Sequence, residues 1–147
     1  MSGEGAALAI RAATRADAPA IAALIDGLGY AADAEVVTAR MLAVREARQH
    51  VLVAADGAVI GVLTTSVMHV LHRPKPVGRI SMLVVSPERR GSGIGAALVA
   101  EAERLLAAEG CGLVEVTSNR RRVEAHRFYE RLGYEHTSHR FGKTLTP

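Results

Sequence analysis

Residues that could hold a phosphate are concentrated in the segment 85–98, which reads Val-Ser-Pro-Glu-Arg-Arg-Gly-Ser-Gly-Ile-Gly-Ala-Ala-Leu. It contains three glycines at alternate positions, Gly91, Gly93 and Gly95. Without side chains, glycines let backbone N–H groups approach a ligand closely. At the start of a helix those N–H groups lack intrahelical acceptors and the helix dipole is positive, which favours an anion. Arg89 and Arg90 add positive charge, so the segment predicts a diphosphate site.

Gly91 to Ala96 also fits the dinucleotide fingerprint G-x-G-x-x-(G/A), so an oxidoreductase that binds NAD or FAD is the alternative from another class. That fingerprint places its first glycine directly after a strand and an acidic residue at the tip of the next strand. Here Ser-Pro-Glu-Arg-Arg separates strand from glycine, and Glu115 lies inside the next predicted strand. No Lys-Ser or Lys-Thr follows the glycines, which excludes a P-loop. A purely structural glycine loop is the remaining alternative.

Length and composition predict one globular domain over residues 1–147. Hydrophobic residues make up 49% of the chain and mean hydropathy is +0.15, which excludes a disordered chain. No apolar run reaches the roughly 18 residues of a membrane span, and the first residues lack a signal-sequence pattern. Cys111 is the only cysteine. We therefore expect a cytoplasmic protein without a disulfide, a metal site or a membrane partner.

The charge balance permits an anionic ligand without requiring nucleic acid. The net charge is +3, and Arg120-Arg121-Arg122 is the only tight basic cluster. Such a run is usually a solvated loop. With no Trp and 3% aromatic residues there are few platforms on which bases could stack, so we expect no nucleic-acid partner.

Periodicity predicts the elements of a mixed α/β domain. In the first half we expect a strand at Leu8–Arg11, a helix capped by Thr14 or Asp17, a helix at Ala34–Ala47, and a hairpin of Val51–Ala55 and Val59–Met68 around Asp56-Gly57. In the second half we expect a loop at His72–Gly78, a doubly covered strand at Ile80–Val85, a helix at Gly93–Glu109, a buried strand at Leu113–Thr117, a helix at Glu124–Leu132 and a last strand at Glu135–Phe141.

Two separate motifs resemble the GNAT superfamily of acetyl-CoA-dependent N-acetyltransferases. Arg90-Gly91-Ser92-Gly93-Ile94-Gly95 matches the family's (Q/R)-x-x-G-x-(G/A) signature. Asn119 and the stretch Ala125 to Tyr134 match its N…A-x-x-F-Y-x-x-x-G-(Y/F) block. The motifs lie in the family's order and separation, and the resemblance spans essentially the whole chain. It implies an α/β (α+β) fold with a mixed, mostly antiparallel central sheet and helices on both faces.

The resemblance implies how acetyl-CoA, the co-substrate, would bind. The pyrophosphate would lie on backbone N–H groups of the glycine loop, whose residues are Arg90, Gly91, Ser92, Gly93, Ile94, Gly95 and Ala96. The pantetheine arm would pair with the backbone of Leu83 to Val85, in a slot opened by a β-bulge. A backbone N–H near Val84 or Val85 would face the thioester oxygen and stabilise the charge that develops there.

Tyr129 aligns with the family's tyrosine that protonates the departing CoA sulfur. A phenol of pKa about 10 can protonate a thiolate whose thiol has a pKa of about 8.5 when the two are held together. The alternative is a core aromatic whose hydroxyl is bonded elsewhere. Asn119 matches the family's CoA-contacting asparagine, or caps the following helix.

The acceptor side departs from the family pattern. Where many relatives carry a glutamate that acts as general base, this chain has Ser81, which cannot serve unaided. His69 and His72 are the alternative bases, although most such histidines are surface residues. The family's acceptor wall corresponds to Leu28–Glu35, where Tyr30, Asp33 and Glu35 would suit a cationic amine.

The sequence thus predicts direct transfer of an acetyl group from acetyl-CoA to a primary amine, with no covalent enzyme intermediate. The acceptor is a small molecule or a peptide, and the resemblance allows a homodimer. A non-catalytic module of the same fold that binds acyl-CoA is the other alternative.

Overall fold

The computed structural model describes residues 7–118 and 121–146. Its strands are β1 (Ala9–Ala12), β2 (Val51–Ala55), β3 (Val59–Met68), β4 (Val77–Val85) and β5 (Leu113–Val116). Its helices are α1 (Ala18–Asp26), α2 (Ala34–Glu46), α3 (Ile94–Ala108) and α4 (Val123–Arg131). Short 3-10 turns precede α1 and follow β4. None of these helices is long and apolar enough to cross a bilayer.

The strands form one sheet of five in the order β1-β2-β3-β4-β5. Neighbouring strands are antiparallel from β1 to β4, and β5 is parallel to β4. The chain reaches β5 through α3, since parallel neighbours require a crossover. The predicted fold class, a mixed and mostly antiparallel sheet with helices, is therefore confirmed.

The two faces of the sheet bury separate apolar clusters. On one face α1 and α2 pack on the sheet through Ile21, Val37 and Met41, against Val53 and Val62. On the other face α3 packs through a second group of aliphatic side chains, which includes Ile94, Leu98 and Ala102 together with Leu63 and Ile80. Alternate residues of each strand thus belong to opposite layers.

Local chemistry sets the helix starts and the first turn. The Asp33 carboxylate accepts the N–H of Val36 at 2.9 Å and caps α2. Ahead of α1, the Asp17 carboxylate accepts the N–H of Thr14 at 2.7 Å and pairs with Arg11, again at 2.7 Å. Gly57 supplies the positive φ of 97° in the β2–β3 hairpin.

Three sequence expectations require correction: the loop His72–Gly78, the buried strand Leu113–Thr117 and the last strand Glu135–Phe141. The predicted loop His72–Gly78 is wrong at its end, because β4 already begins at Val77. Gly78 fits that strand closely: an added Cβ would lie 2.9 Å from Leu106 Cδ1 of α3. The strand β5 is covered on one face only, and Leu113 is 42% exposed.

The predicted last strand, Glu135–Phe141, is not present: residues 134–146 carry no helix or strand. Its alternating pattern finds no partner, since β5 ends the sheet in the described part of the chain. Phe141 is 94% exposed, so no packing holds the segment in register either.

Candidate active site

The glycine loop turns the chain sharply between β4 and α3. Pro87–Arg89 form a 3-10 turn, and α3 begins at Ile94. Gly91 and Gly93 have φ of 80° and 84°, a conformation that L side chains rarely adopt. An added Cβ at either position would meet no atom within 4 Å. The backbone conformation and open access, rather than crowding, are what require these two glycines.

The backbone donors of this loop are unpaired within the part of the chain that the structure describes. Among the described residues, the N–H groups of 91–96 have no hydrogen-bond acceptor. The Ala97 N–H is the first to be paired, with the carbonyl of Gly93 at 3.0 Å. Unpaired donors at the positive end of a helix form an anion site.

An ion pair holds the loop, and sequence analysis did not find it. The Arg89 guanidinium pairs with the Asp56 carboxylate of the β2–β3 hairpin, and the Arg89 carbonyl accepts the hydroxyl of Ser92. The positive charge that we expected from Arg89 beside the phosphate site is therefore paired with a carboxylate. Arg90 is exposed, and within residues 7–118 and 121–146 its guanidinium has no partner. The Arg89–Asp56 pair joins the turn after β4 to the β2–β3 hairpin, which are far apart in the sequence, so no local sequence pattern predicts it.

Gly95, the third glycine of the loop, is required for close packing rather than for its backbone conformation. A Cβ on Gly95 would lie 3.1 Å from Phe128 Cζ and 3.3 Å from its Cε1. Gly95 therefore lets α4 pack closely against the first turn of α3. This contact ties the second sequence motif to the first.

The pairing between β4 and β5 ends partway along β4. The last parallel pair is Ile80 with Val116. Directly after it, the register between β3 and β4 shifts so that Thr64 faces Met82 while Thr65 faces Ile80, which leaves Ser81 as the extra residue of a β-bulge. Beyond the bulge, the β5 side of β4 has no partner strand in the described part of the chain.

Backbone alternation decides which groups face this open side. The Ser86 N–H donates to the Ile60 carbonyl of β3 at 2.8 Å. Because donors in an antiparallel ladder alternate in direction, the N–H of Val84 also points to β3. The N–H and C=O groups of Leu83 and Val85 point to the open side. Of the two amides expected to face the thioester, Val85 has the required direction and Val84 does not.

Tyr129 lies half-buried on α4. Its ring packs edge-on against Phe128, with centroids 5.1 Å apart, and against Tyr134 at 5.8 Å. No acceptor for its hydroxyl occurs among the described residues, whereas the Tyr134 hydroxyl donates to Glu103 Oε2 at 2.7 Å. Burial raises the pKa of Tyr129, and the charge of Arg122 opposes that rise. The tyrosine is therefore protonated at neutral pH, with a hydroxyl that is free to donate.

The predicted acceptor residues do not come together as one group. Ser81 is exposed, and its hydroxyl lies 2.7 Å from that of Thr64. His69 and His72 are exposed in the β3–β4 connection, beside the Val77 end of β4 and away from the glycine loop.

Tyr30 is 68% exposed in the α1–α2 connection, and Glu35 is exposed in the first turn of α2. Asp33 is occupied as the cap of α2. Asn119 lies outside the described residues.

A charged pair that we did not predict lies beside the bulge. Arg79 donates through Nε and Nη2 to Glu115 Oε1, at 3.0 and 2.7 Å. The two residues are register partners on β4 and β5. Nothing in the sequence indicated this pair, because both residues lie within strands. Glu115 entered the sequence analysis only as evidence against a dinucleotide site.

In the described part of the chain, the start of α3 thus combines unpaired backbone amides with a neighbouring strand whose edge is open from Ser81 onward. Residues 20–134 match the Acetyltransferase (GNAT) family, and the chain belongs to this family. The recognition made from the two motifs is thereby confirmed.

Two curated relatives are named as N-acetyltransferases. The chain is 35% identical over 133 residues to the aminoglycoside N(6')-acetyltransferase type 1 of Stenotrophomonas maltophilia, covering 87% of this chain and 86% of the relative. It is 40% identical over 90 residues to the aminoalkylphosphonate N-acetyltransferase of Salmonella typhimurium, covering 61% of this chain and 58% of that relative. The second match thus spans less than two thirds of that relative's length.

Solved structures agree with the fold. The aminoglycoside N-acetyltransferase AAC(6')-Iy in complex with CoA superposes with a TM-score of 0.86 at 20% identity, covering 99% of each chain. A putative acetyltransferase from Agrobacterium tumefaciens superposes with a TM-score of 0.84 at 24% identity, covering 93% of this chain and 99% of the other.

Proposed function

We propose that the protein transfers an acetyl group from acetyl-CoA to a primary amine of a small molecule. One observation carries the proposal. The unpaired N–H groups of 91–96 lie at the start of α3, next to a strand edge that is open from Ser81 onward. Membership of the GNAT family and the two related N-acetyltransferases support the same reaction.

The loop donors, which have no acceptor among the described residues, and the open strand fit different parts of acetyl-CoA. A pyrophosphate would be held by the loop amides, with Arg90 beside them as a cation that has no ion-pair partner among the described residues. The amide groups of a pantetheine arm would pair with the N–H and C=O groups of Leu83 and Val85, as an added strand does. Bound in this way, acetyl-CoA supplies the activated acyl group.

The chain's own groups would then assist both halves of the transfer. A backbone N–H on the open side, from Leu83 or Val85, stabilises negative charge on the thioester oxygen as the amine attacks. The N–C bond forms, the C–S bond breaks, and the amine loses a proton to solvent. Tyr129 is the proposed donor of the proton that the departing sulfur receives, because its hydroxyl has no acceptor among the described residues.

The acceptor is proposed to be a small molecule because both related enzymes are named for small amines. Ser81, His69, His72, Tyr30 and Glu35 stay predictions for its contacts. A peptide amine is the alternative acceptor.

Thermal unfolding with increasing acetyl-CoA tests the cofactor. A ligand that binds only the native state stabilises it by about 2.7 kcal/mol at 100 times its Kd, which raises Tm by about 5 to 10 °C for a domain of this size. NADH and FAD serve as controls and should leave Tm unchanged. An unchanged Tm with acetyl-CoA would overturn the proposal.

Release of free CoA thiol during incubation with a panel of amines tests the reaction itself. Turnover with at least one amine is expected. Binding of acetyl-CoA without release of CoA for any amine or peptide would favour the non-catalytic acyl-CoA module.

A further inference from the structure

A cavity of about 310 Å³ lies between α1 and the end of β4. Its opposite wall is formed by residues 84–87 and Arg90, which belong to the end of β4 and the turn that follows. The wall on α1 is one face of the helix, because residues three and four positions apart are neighbours there. This wall consists of Ala20, Ala23, Leu24 and Gly27. A volume of this size is at the lower end of the range, about 300 to 1,000 Å³, of pockets that hold small ligands.

Most of the lining of this cavity is hydrocarbon. The side chains from α1 are aliphatic, and Val84 and Pro87 continue that surface. The hydroxyl of Ser86 donates to the Glu88 carboxylate within its own turn. Arg90 brings a positive charge to the lining, and among the described residues it has no ion-pair partner. The cavity therefore suits an apolar group that is attached to an anion.

The chemical order of acetyl-CoA places one particular group beside the cavity. The diphosphate is followed by pantoate, which contains a carbon atom with two methyl groups, and then by two amides and the sulfur. In the proposed complex the diphosphate lies on the N–H groups of 91–96, and the amides lie along Leu83 and Val85. The pantoate then lies between these two contacts, next to residues 86–90. Val84, which packs with α1, places the cavity on the α1 side of this segment.

We propose that α1 forms a wall of the coenzyme site and that the cavity receives the two methyl groups of the pantoate. Burial of these methyl groups against Ala23, Leu24 and Pro87 strengthens binding through the hydrophobic effect. Arg90 lies beside the diphosphate that adjoins them. This inference rests on the proposed acetyltransferase function and specifies residues that select its coenzyme.

The lining favours a hydrocarbon group over the adenine at the other end of the coenzyme. A buried purine has donors and acceptors along its edge that need hydrogen-bond partners. Of the polar side chains in the lining, Ser86 is engaged with Glu88 and Arg90 offers donors only. Methyl groups need no such partner. NADH and FAD share adenine and a diphosphate with CoA but lack pantoate, so an apolar cavity at this position selects CoA.

Ala23→Leu tests the occupant, because the larger side chain fills the cavity from α1. Ala23 is exposed and leucine is a good helix former, so the fold should be retained. Calorimetry should show the Kd of acetyl-CoA rising about tenfold. S-acetyl-4'-phosphopantetheine retains the pantoate and lacks the adenosine, so its Kd should rise by the same factor.

An analogue of acetyl-CoA without the two methyl groups gives the reciprocal test and requires no variant. The wild type should bind this desdimethyl analogue about tenfold more weakly than acetyl-CoA, since two buried methyl groups are lost. In Ala23→Leu the difference between the two compounds should largely disappear, because the leucine already occupies the space.

Ala107→Leu is the matched control. Ala107 is an exposed alanine of α3, which packs on the other face of the sheet. The same enlargement there should leave the Kd of all three compounds unchanged.

The outcomes are distinguishable. If Ala23→Leu changes neither Kd, or if the wild type binds acetyl-CoA and the desdimethyl analogue equally well, the inference is overturned while the acetyltransferase function stands. A rise in Kd confined to acetyl-CoA would place the adenosine in the cavity and overturn the inference as well. If the wild type does not bind acetyl-CoA at all, the proposed function fails.

Discussion

Two tyrosines of this domain differ in what their hydroxyls contact. Tyr134 donates to Glu103, whereas Tyr129 has no acceptor in the described part of the chain. Burial raises the pKa of both phenols, with Glu103 raising that of Tyr134 further. A proton donor needs a hydroxyl that is not already committed, so the two residues form a natural pair for comparison.

Tyr129→Phe should lower kcat about 100-fold and leave the KM for acetyl-CoA nearly unchanged, because a general acid contributes to the reaction and not to binding. Since the pKa of Tyr129 is raised above its ordinary value near 10, its ionisation should not reduce kcat of the wild type below about pH 10. Steady-state kinetics across pH measure both effects.

Tyr134→Phe is the matched control. It removes the bond to Glu103 and should lower the free energy of unfolding by about 1 kcal/mol, with kcat unchanged. Equal losses of kcat in both variants would contradict an acid role for Tyr129 and indicate that the aromatic cluster acts as a structural unit.

Gly93→Ala should raise the KM for acetyl-CoA about tenfold, because the left-handed backbone at φ of 84° costs an L residue about 1 kcal/mol and the loop amides would shift. Gly95→Ala should mainly lower Tm, since its Cβ would press on the Phe128 ring. Initial rates and thermal unfolding distinguish the two variants. A Gly93 variant with an unchanged KM would remove the loop amides from the binding site.

At the scale of elements, one side-chain pair connects the β2–β3 hairpin to the glycine loop among the residues that the structure describes. Asp56→Asn breaks the pair with Arg89 and should raise the KM for acetyl-CoA about threefold to fivefold, with kcat and the KM for the amine unchanged. The effect is modest because half-exposed ion pairs are worth at most about 1 kcal/mol. Added salt should diminish the difference between wild type and variant.

Arg104→Gln, which also removes an exposed ion pair, should not change this KM. A loss of Tm in Asp56→Asn without a change in KM would show that the pair stabilises the fold only.

Elements with a strong local pattern were predicted closely. The predicted helix Ala34–Ala47 is observed as Ala34–Glu46, and the hairpin strands Val51–Ala55 and Val59–Met68 are confirmed. The start of β4 was missed because Pro74 and Pro76 indicated a loop, and pairing with β3 and β5 overrides that signal. The prediction of a last strand was wrong for the opposite reason. Its residues alternate as in a strand, but a local pattern cannot provide a neighbouring strand to pair with.

The candidate site divides in the same way. The glycines and Tyr129 belong to contiguous motifs, so the sequence alone pointed to them. Asp56 and Glu115 contact Arg89 and Arg79 across the fold, and no local pattern records either contact. The roles of all these residues stay predictions.

At the scale of the whole molecule, lowering the pH should remove the contribution of the buried Asp17 carboxylate to the free energy of unfolding. The bond from Arg11 lowers the pKa of Asp17 from an ordinary 3.8 to about 2, and burial opposes that shift while the Thr14 N–H supports it. A depressed folded-state pKa stabilises the fold above the unfolded-state pKa, so the contribution is lost as pH falls from about 4 through 2. It amounts to about 1 to 2 kcal/mol, reduced by the solvent around Arg11.

Denaturant unfolding between pH 2 and 7 measures this contribution. Asp17→Asn should be less stable than wild type at pH 7, and the two should converge towards pH 2. Asp26→Asn alters an exposed carboxyl without a side-chain contact in the described ranges, and should retain the wild-type profile. A constant difference across pH would contradict the assignment to Asp17.

Ser81 carries a wider consequence for engineering. Deleting Ser81 would remove the bulge, so that β4 pairs with β3 in one continuous register. The pairing of β5 with β4 could then extend beyond Ile80 and Val116. The resulting domain would gain hydrogen bonds and forfeit the gap in which the coenzyme arm is proposed to lie. Selection of variants for thermal stability alone would therefore favour loss of the bulge, and with it loss of activity. Screens for stable variants of this domain should measure turnover in every round.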